Sequence, residues 1–199
     1  MTRDEVVALF ESSGALLQGH FRLSSGRHSG HYLQCARVLM NPHRASRLAD
    51  ALVALLPPEL RSRFDAVISP AMGGLIIGHE VGRSLDRDAM FLERPTGRFE
   101  LRRGFAIRPG TSVLMVEDVV TTGLSSREAI QAIRDAGGEV LAAAALVDRS
   151  GGTADVGAPF FPLVEFDFPS FAEDEVPAEL AAILLTKPGS RTPRAQAAA

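Results

Sequence analysis

The stretch that decides the reading of this chain is Val113-Leu114-Met115-Val116-Glu117-Asp118-Val119-Val120-Thr121-Thr122-Gly123-Leu124-Ser125. A hydrophobic run ends in two adjacent carboxylates, and a loop of small residues then opens a helix. Val113 to Val119 predicts a strand buried on both faces, and Ser125 to Ala136 predicts a helix that Gly137-Gly138 terminates. Small residues let backbone N–H groups close around a phosphate, and the helix dipole favours an anion there. Thr121, Thr122 and Ser125 add hydroxyl donors, whereas Glu117 and Asp118 are acceptors when ionised. Such acceptors suit the paired hydroxyls of a sugar, and a phosphate beside a diol is the pattern of ribose 5-phosphate. The same spacing also describes a capped helix after a buried strand, with Glu117 and Asp118 as solvated strand-end charges. A nucleoside-triphosphate loop, Gly-x4-Gly-Lys-Ser/Thr, is absent. With Gly123 alone, the Gly-x-Gly-x-x-Gly dinucleotide turn is absent too.

Outward from this segment the pattern repeats. Ala66 to Ser69 predicts a short buried strand, Pro70 to Gly74 a turn, and Leu75 to Leu85 a helix. Ala89 to Leu92 and Val140 to Val147 are further strands. Strands alternating with amphipathic helices imply an α/β fold, a mostly parallel sheet flanked by helices. Ligands bind such sheets at the carboxyl ends of the strands, which marks the loops starting at Pro70, Glu93, Glu117 and Asp148. Ahead of this unit, Thr2 to Ser13 reads as a helix ended by Gly14. Asn41 caps a helix that begins on Pro42 and runs to about Leu56. Between them, Phe21 to Leu39 mixes Ser, Gly and His with short alternation, as small strands outside the main core would. A single domain is expected over 1–185, with a small N-terminal hood from about 14–40 together with part of 155–170. Thr186 to Ala199 reads as a disordered tail.

Composition narrows the class. The chain has 199 residues, 46% hydrophobic and 23% charged, the balance of a soluble globular protein. No apolar run is long enough to cross a bilayer and the N-terminus shows no signal-peptide core, so a cytoplasmic setting is expected. Net charge is −3, which predicts no general attraction to nucleic acid or to a membrane surface. One cysteine, Cys35, excludes an intramolecular disulfide and a multi-cysteine metal site; it reads as a small buried hydrophobe. Lys187 is the one lysine, so any anion site must use arginine, backbone amides or metal.

Val116 to Gly123 resembles the thirteen-residue phosphoribosyl diphosphate motif of type I phosphoribosyltransferases. Pro70-Ala71-Met72-Gly73-Gly74 stands where that family places its diphosphate turn. Phe21 to Ser29 and Val147-Asp148-Arg149 resemble the base-side segments of the orotate phosphoribosyltransferases. The likeness spans about residues 5 to 170. It implies a type I phosphoribosyltransferase fold and transfer of a phosphoribosyl group from 5-phospho-α-D-ribose 1-diphosphate to orotate. It also implies Mg²⁺ carried mainly by the substrate, with no dedicated protein ligands, and a homodimer. By the same resemblance Glu117 and Asp118 hold the ribose hydroxyls, and Val119, Val120, Thr121, Thr122, Gly123, Leu124 and Ser125 surround the 5-phosphate. Thr121, Arg149, Ser25 and Gly26 would contact orotate, Arg149 pairing its planar fork with the carboxylate. His28 and His31 lie in the hood and could touch substrate. A transferase for another base, or a regulator that senses the donor, shares the same central motif.

The chain departs from the family pattern on one point. Ser24 and Gly73 stand where lysines are expected, and the loop Glu93 to Gly104 is short and carries arginines instead of lysines and a histidine. Arg94, Arg102 and Arg103 are candidates to neutralise the diphosphate, with Arg94, directly after a strand, the catalytic choice beside Glu117 and Asp118. The other account of Arg98, Arg102 and Arg103 is a solvated hairpin turning at Thr96-Gly97.

Overall fold

The chain was analysed as a computed structural model that describes residues 1–23 and 25–187. Its first helix, α1 (Arg3–Ser12), starts on a capping box: Thr2 Oγ1 accepts from the Glu5 amide, and Glu5 accepts from the Thr2 amide at 2.8 Å. A hairpin follows, β1 (Leu16–Arg22) antiparallel to β2 (His28–Leu33). Helices α2 (Cys35–Leu39), α3 (Pro42–Leu55) and α4 (Pro58–Arg61) lead to the main sheet. The side chain of Asn41 caps α3 by accepting from the Arg44 amide, and Pro42 takes the first helical position, as expected from the sequence.

The main sheet begins with β3 (Ala66–Pro70), α5 (Gly74–Leu85), β4 (Asp88–Glu93) and β5 (Glu100–Leu101). It continues through β6 (Ser112–Val120), α6 (Leu124–Asp135), β7 (Glu139–Asp148) and β8 (Phe160–Glu165). The strand order is β5-β4-β3-β6-β7-β8, all parallel except β5. Period-two alternation distributes the side chains over two cores. Val67 and Leu114 pack with Phe10, Leu48, Leu52 and Ile77 beneath α1, α3 and α5. Their neighbours Ile68 and Met115 face the other way, against Ile130 and Ile133 of α6. Each of these fully buried side chains contributes about 1.5–3 kcal/mol by leaving water. From β3 the chain moves outward to β4 and then returns to the other side of β3 for β6. The boundary between β3 and β6 is therefore the switch point at which an open α/β sheet has its crevice.

The hood is a second sheet, ordered β10-β1-β2-β9, closed by β9 (Ser170–Phe171) and β10 (Leu185–Thr186). A 3-10 turn (Glu173–Glu175) and α7 (Ala178–Ala181) connect them. Of 155–170, assigned in part to the hood, Ser170 lies in β9 there, while Phe160–Glu165 pairs with β7 as an edge strand of the main sheet. Pro162 concealed it, because a proline inside a run argues against a central strand but is tolerated at an edge. Thr186, placed at the start of a tail, pairs in β10 with Phe21 and donates its hydroxyl to the His20 carbonyl. The rest of that tail, 188–199, lies outside the described residues, as does Ser24.

Candidate active site

Because β3 and β6 are neighbours, the turn after Pro70 and the loop after Val120 meet at one end of the sheet. Both lead directly into helices, whose first-turn amides lack intrahelical partners. Gly123 caps α6 at φ +73, and a Cβ there would stand 2.5 Å from the Asp155 carbonyl oxygen. Only glycine fits this loop at that approach. The guanidinium of Arg127 donates to that same carbonyl, fastening the loop from behind.

Two joined cavities occupy the crevice. One, of about 280 Å³, is lined by Val119 to Ser126 together with Arg94, Glu117 and Glu128. The other, of about 240 Å³, lies between the turn of Pro70, Ala71, Gly73 and Gly74 and the side chain of Asp118. Arg94, Glu117, Val119 and Ser125 line both. The acid pair thus stands where a helix N-terminus and a glycine turn converge.

Glu117 is only 5% exposed, and its Oε2 accepts the Ser126 hydroxyl at 2.6 Å. Burial raises its pKa above the usual carboxylate range; the Ser126 and Ser125 hydroxyls oppose that, and the Asp118 charge adds to it. Burial also raises Asp118, against backbone N–H groups of Val119 and its own residue. Asp118 lies directly over Gly73: a Cβ on residue 73 would come within 2.5 Å of Oδ1 and 2.6 Å of Oδ2. Any side chain at 73, a lysine included, would displace this carboxylate from its present position.

Over 191 residues the chain is 69% identical to the orotate phosphoribosyltransferase of Novosphingobium aromaticivorans, an overlap of 96% of this chain and 98% of that protein. The corresponding enzyme of Erythrobacter litoralis is 68% identical, over 96% of this chain and 99% of that one. The chain belongs to the orotate phosphoribosyltransferase family. The phosphoribosyl transferase domain model matches residues 41–179. Among solved structures, the orotate phosphoribosyltransferase of Aeropyrum pernix superposes with a TM-score of 0.68 at 29% identity, covering 81% of this chain and 93% of that one.

In this orotate phosphoribosyltransferase family member, Arg149 follows the end of β7, and its amide donates to the Val120 carbonyl at 2.8 Å. That bond ties Arg149 to the strand end beside Thr121, which is itself exposed. The guanidinium lies 5.7 Å from the Phe168 ring centroid, and its buried Nε has no partner. Among the described residues Arg149 makes no salt bridge. The neighbouring Asp148 accepts from the Ser150 amide at 2.7 Å. Burial lowers the Arg149 pKa from its ordinary value. His31 stacks on Phe168 at 4.4 Å and 11°, and Phe166 stacks on Phe168 at 5.1 Å. Burial, then the charge of Arg149, lowers the His31 pKa and favours the neutral imidazole.

The remaining candidates divide. Arg94 lies over Phe99 at 3.8 Å and pairs with Glu128, at the wall shared by both cavities. Arg102 and Arg103 pair with Glu93 at 3.7 and 2.8 Å, the arrangement of a solvated hairpin. Ser25 and Gly26 sit in an open turn and line neither cavity; the neighbouring Arg27 bonds to Ser170 of β9. His28 is buried inside the hood, 2.7 Å from His20, and lines neither cavity. Cys35 is buried and free, its thiol pushed well up by burial and then by Asp118. Sequence reasoning missed Ser126, Phe166 and Phe168. The alternation Phe166-Asp167-Phe168 was a usable signal, whereas Ser126 offered none beyond its place in the first turn of α6.

Proposed function

We propose that the joined cavities hold 5-phospho-α-D-ribose 1-diphosphate, and that the chain transfers its phosphoribosyl group to orotate in de novo pyrimidine (UMP) biosynthesis. The observation that carries this reading is the placement of Glu117 and Asp118 between the α6 N-terminus and the glycine turn. Thr121 to Ser125 hold the 5-phosphate through amides and hydroxyls. The acid pair accepts from the ribose hydroxyls, and the turn at Pro70 to Gly74 receives the diphosphate with Arg94 beside it. Arg149 pairs with the orotate carboxylate, its partnerless Nε supporting that role. The ring stack of His31, Phe168 and Phe166 offers an aromatic wall next to it.

In the reaction the C1–oxygen bond to diphosphate breaks and the orotate N1–C1 bond forms with inversion, the N1 proton passing to solvent. Carbon 1 gains positive charge as diphosphate leaves, and the fixed Asp118 carboxylate stabilises it. Little proton chemistry is needed, so positioning and electrostatics supply most of the rate. Among the described residues no group of three or more His, Cys, Asp or Glu could hold a metal. Mg²⁺ would enter with the donor, Glu117 and Asp118 would be the acidic residues beside it, and it would make diphosphate a better leaving group. We read the assembly as a cytoplasmic homodimer. The homodimer rests on the likeness to the family, and sedimentation would test it.

The deciding experiment follows orotate absorbance after adding the donor and Mg²⁺, with uracil, adenine and hypoxanthine in parallel. Turnover of orotate alone is expected. Faster turnover of another base would overturn the assignment.

A further inference from the structure

A buried carboxylate is useful to a sugar only if something holds it ionised and aimed, and for Glu117 the serine hydroxyls at the start of α6 do this, Ser126 foremost. Ser126 is fully buried, and its hydroxyl donates to Glu117 Oε2 at 2.6 Å, the range of a charge-assisted O–H···O⁻ bond. The two serines in the first turn of α6 are placed differently, because successive helical residues point about 100° apart. Ser125 is exposed on the crevice side, while Ser126 turns inward beneath the strand end. The helix whose first turn surrounds the phosphate cavity therefore also grips the acid next to it.

From this we infer that Ser126 is a positioning residue for the donor. Its hydroxyl fixes one oxygen of Glu117 from behind, so that the carboxylate presents to the ribose hydroxyls in register with the 5-phosphate. The inference rests on the donor-site reading above and adds a residue to it. Ser126 borders the phosphate cavity, but its hydroxyl is engaged by Glu117 and acts through that carboxylate.

The test compares binding of ribose 5-phosphate, 2-deoxyribose 5-phosphate and inorganic phosphate by calorimetry, in the wild type and in Ser126→Ala, Ser126→Thr and Ser126→Cys. The wild type should prefer ribose 5-phosphate to its 2-deoxy analogue by about tenfold, the contribution of one hydrogen bond to a charged acceptor. Ser126→Ala should lose most of that preference, keep phosphate affinity within about twofold, and raise the donor KM with the orotate KM unchanged. Ser126→Thr, which keeps the hydroxyl, should restore it. Should Ser126→Ala not fold, Ser126→Cys serves as the weak-donor variant of similar size. A variant that retains the full preference, or loses phosphate affinity in parallel, overturns the inference. If the wild type itself does not distinguish ribose 5-phosphate from phosphate, the donor-site reading fails and this inference falls with it.

Discussion

Replacing Gly73 by alanine should separate stability from activity more sharply than any other single change. The added Cβ would lie 2.5 Å from Asp118 Oδ1, 2.6 Å from Oδ2 and 2.7 Å from Cγ, and must reach about 3.4 Å for ordinary contact. The carboxylate therefore retreats by about 0.9 Å, which it can do because it is the far end of a side chain. Folding loses little. Gly73 has φ −59 and ψ −47, so alanine is unstrained there, and at the N-cap of α5 the exchange costs about 1 kcal/mol at most. Function loses more. A hydrogen bond to a charged group contributes about 1.5–3 kcal/mol, so misplacing Asp118 should lower kcat/KM for the donor by about 10- to 150-fold. Thermal melting should show a Tm within about 4 °C of the wild type, and steady-state kinetics should show the loss in kcat/KM. A variant within twofold of wild type would refute the claim that this glycine makes room for the acid.

The acid pair should also show a conflict between stability and activity. Both pKa values are raised in the folded state, so their contribution to stability is complete below the unfolded pKa and is lost as pH rises through the folded one. Asp118→Asn should therefore raise the Tm at pH 7 relative to wild type, with the gain shrinking as pH falls into the carboxylate range, while activity collapses. Melting curves from pH 7 to pH 5 beside a rate assay check this, and a lower Tm at pH 7 would contradict it. Arg149→Met removes a guanidinium whose Nε is buried without a partner. Its kcat/KM for orotate should fall by about 2–5 kcal/mol equivalent with the donor KM unchanged, as saturation curves in each substrate would reveal. Arg94→Ala should weaken donor binding by more than ~1.4 kcal/mol, a factor of ten. Unaltered affinity in a donor titration would return Arg94 to a surface role with Glu128 and Phe99.

What the residue order could decide by itself was local. The strand, acid pair, small-residue loop and helix from Val113 to Asp135 are contiguous, and each depends on side-chain period and cap chemistry within a few residues, so the family motif and the parallel sheet were legible. The same holds for Asn41 and Pro42 at the start of α3. Other features arise only when distant segments meet. The hood closes with two-residue strands at Ser170 and Leu185, too short to leave a period, and β8 is obscured by Pro162. His28 could be placed in the hood from the sequence, but its burial against His20 follows only from the pairing of β1 with β2. Gly73 showed only an absent lysine, whereas folding sets it beneath Asp118. Ser126 showed only a helix start, whereas folding sets it behind Glu117. Backbone conformation follows from neighbours along the chain, but burial and hydrogen-bond partners follow from neighbours in space. The acids' chemistry depends on the latter.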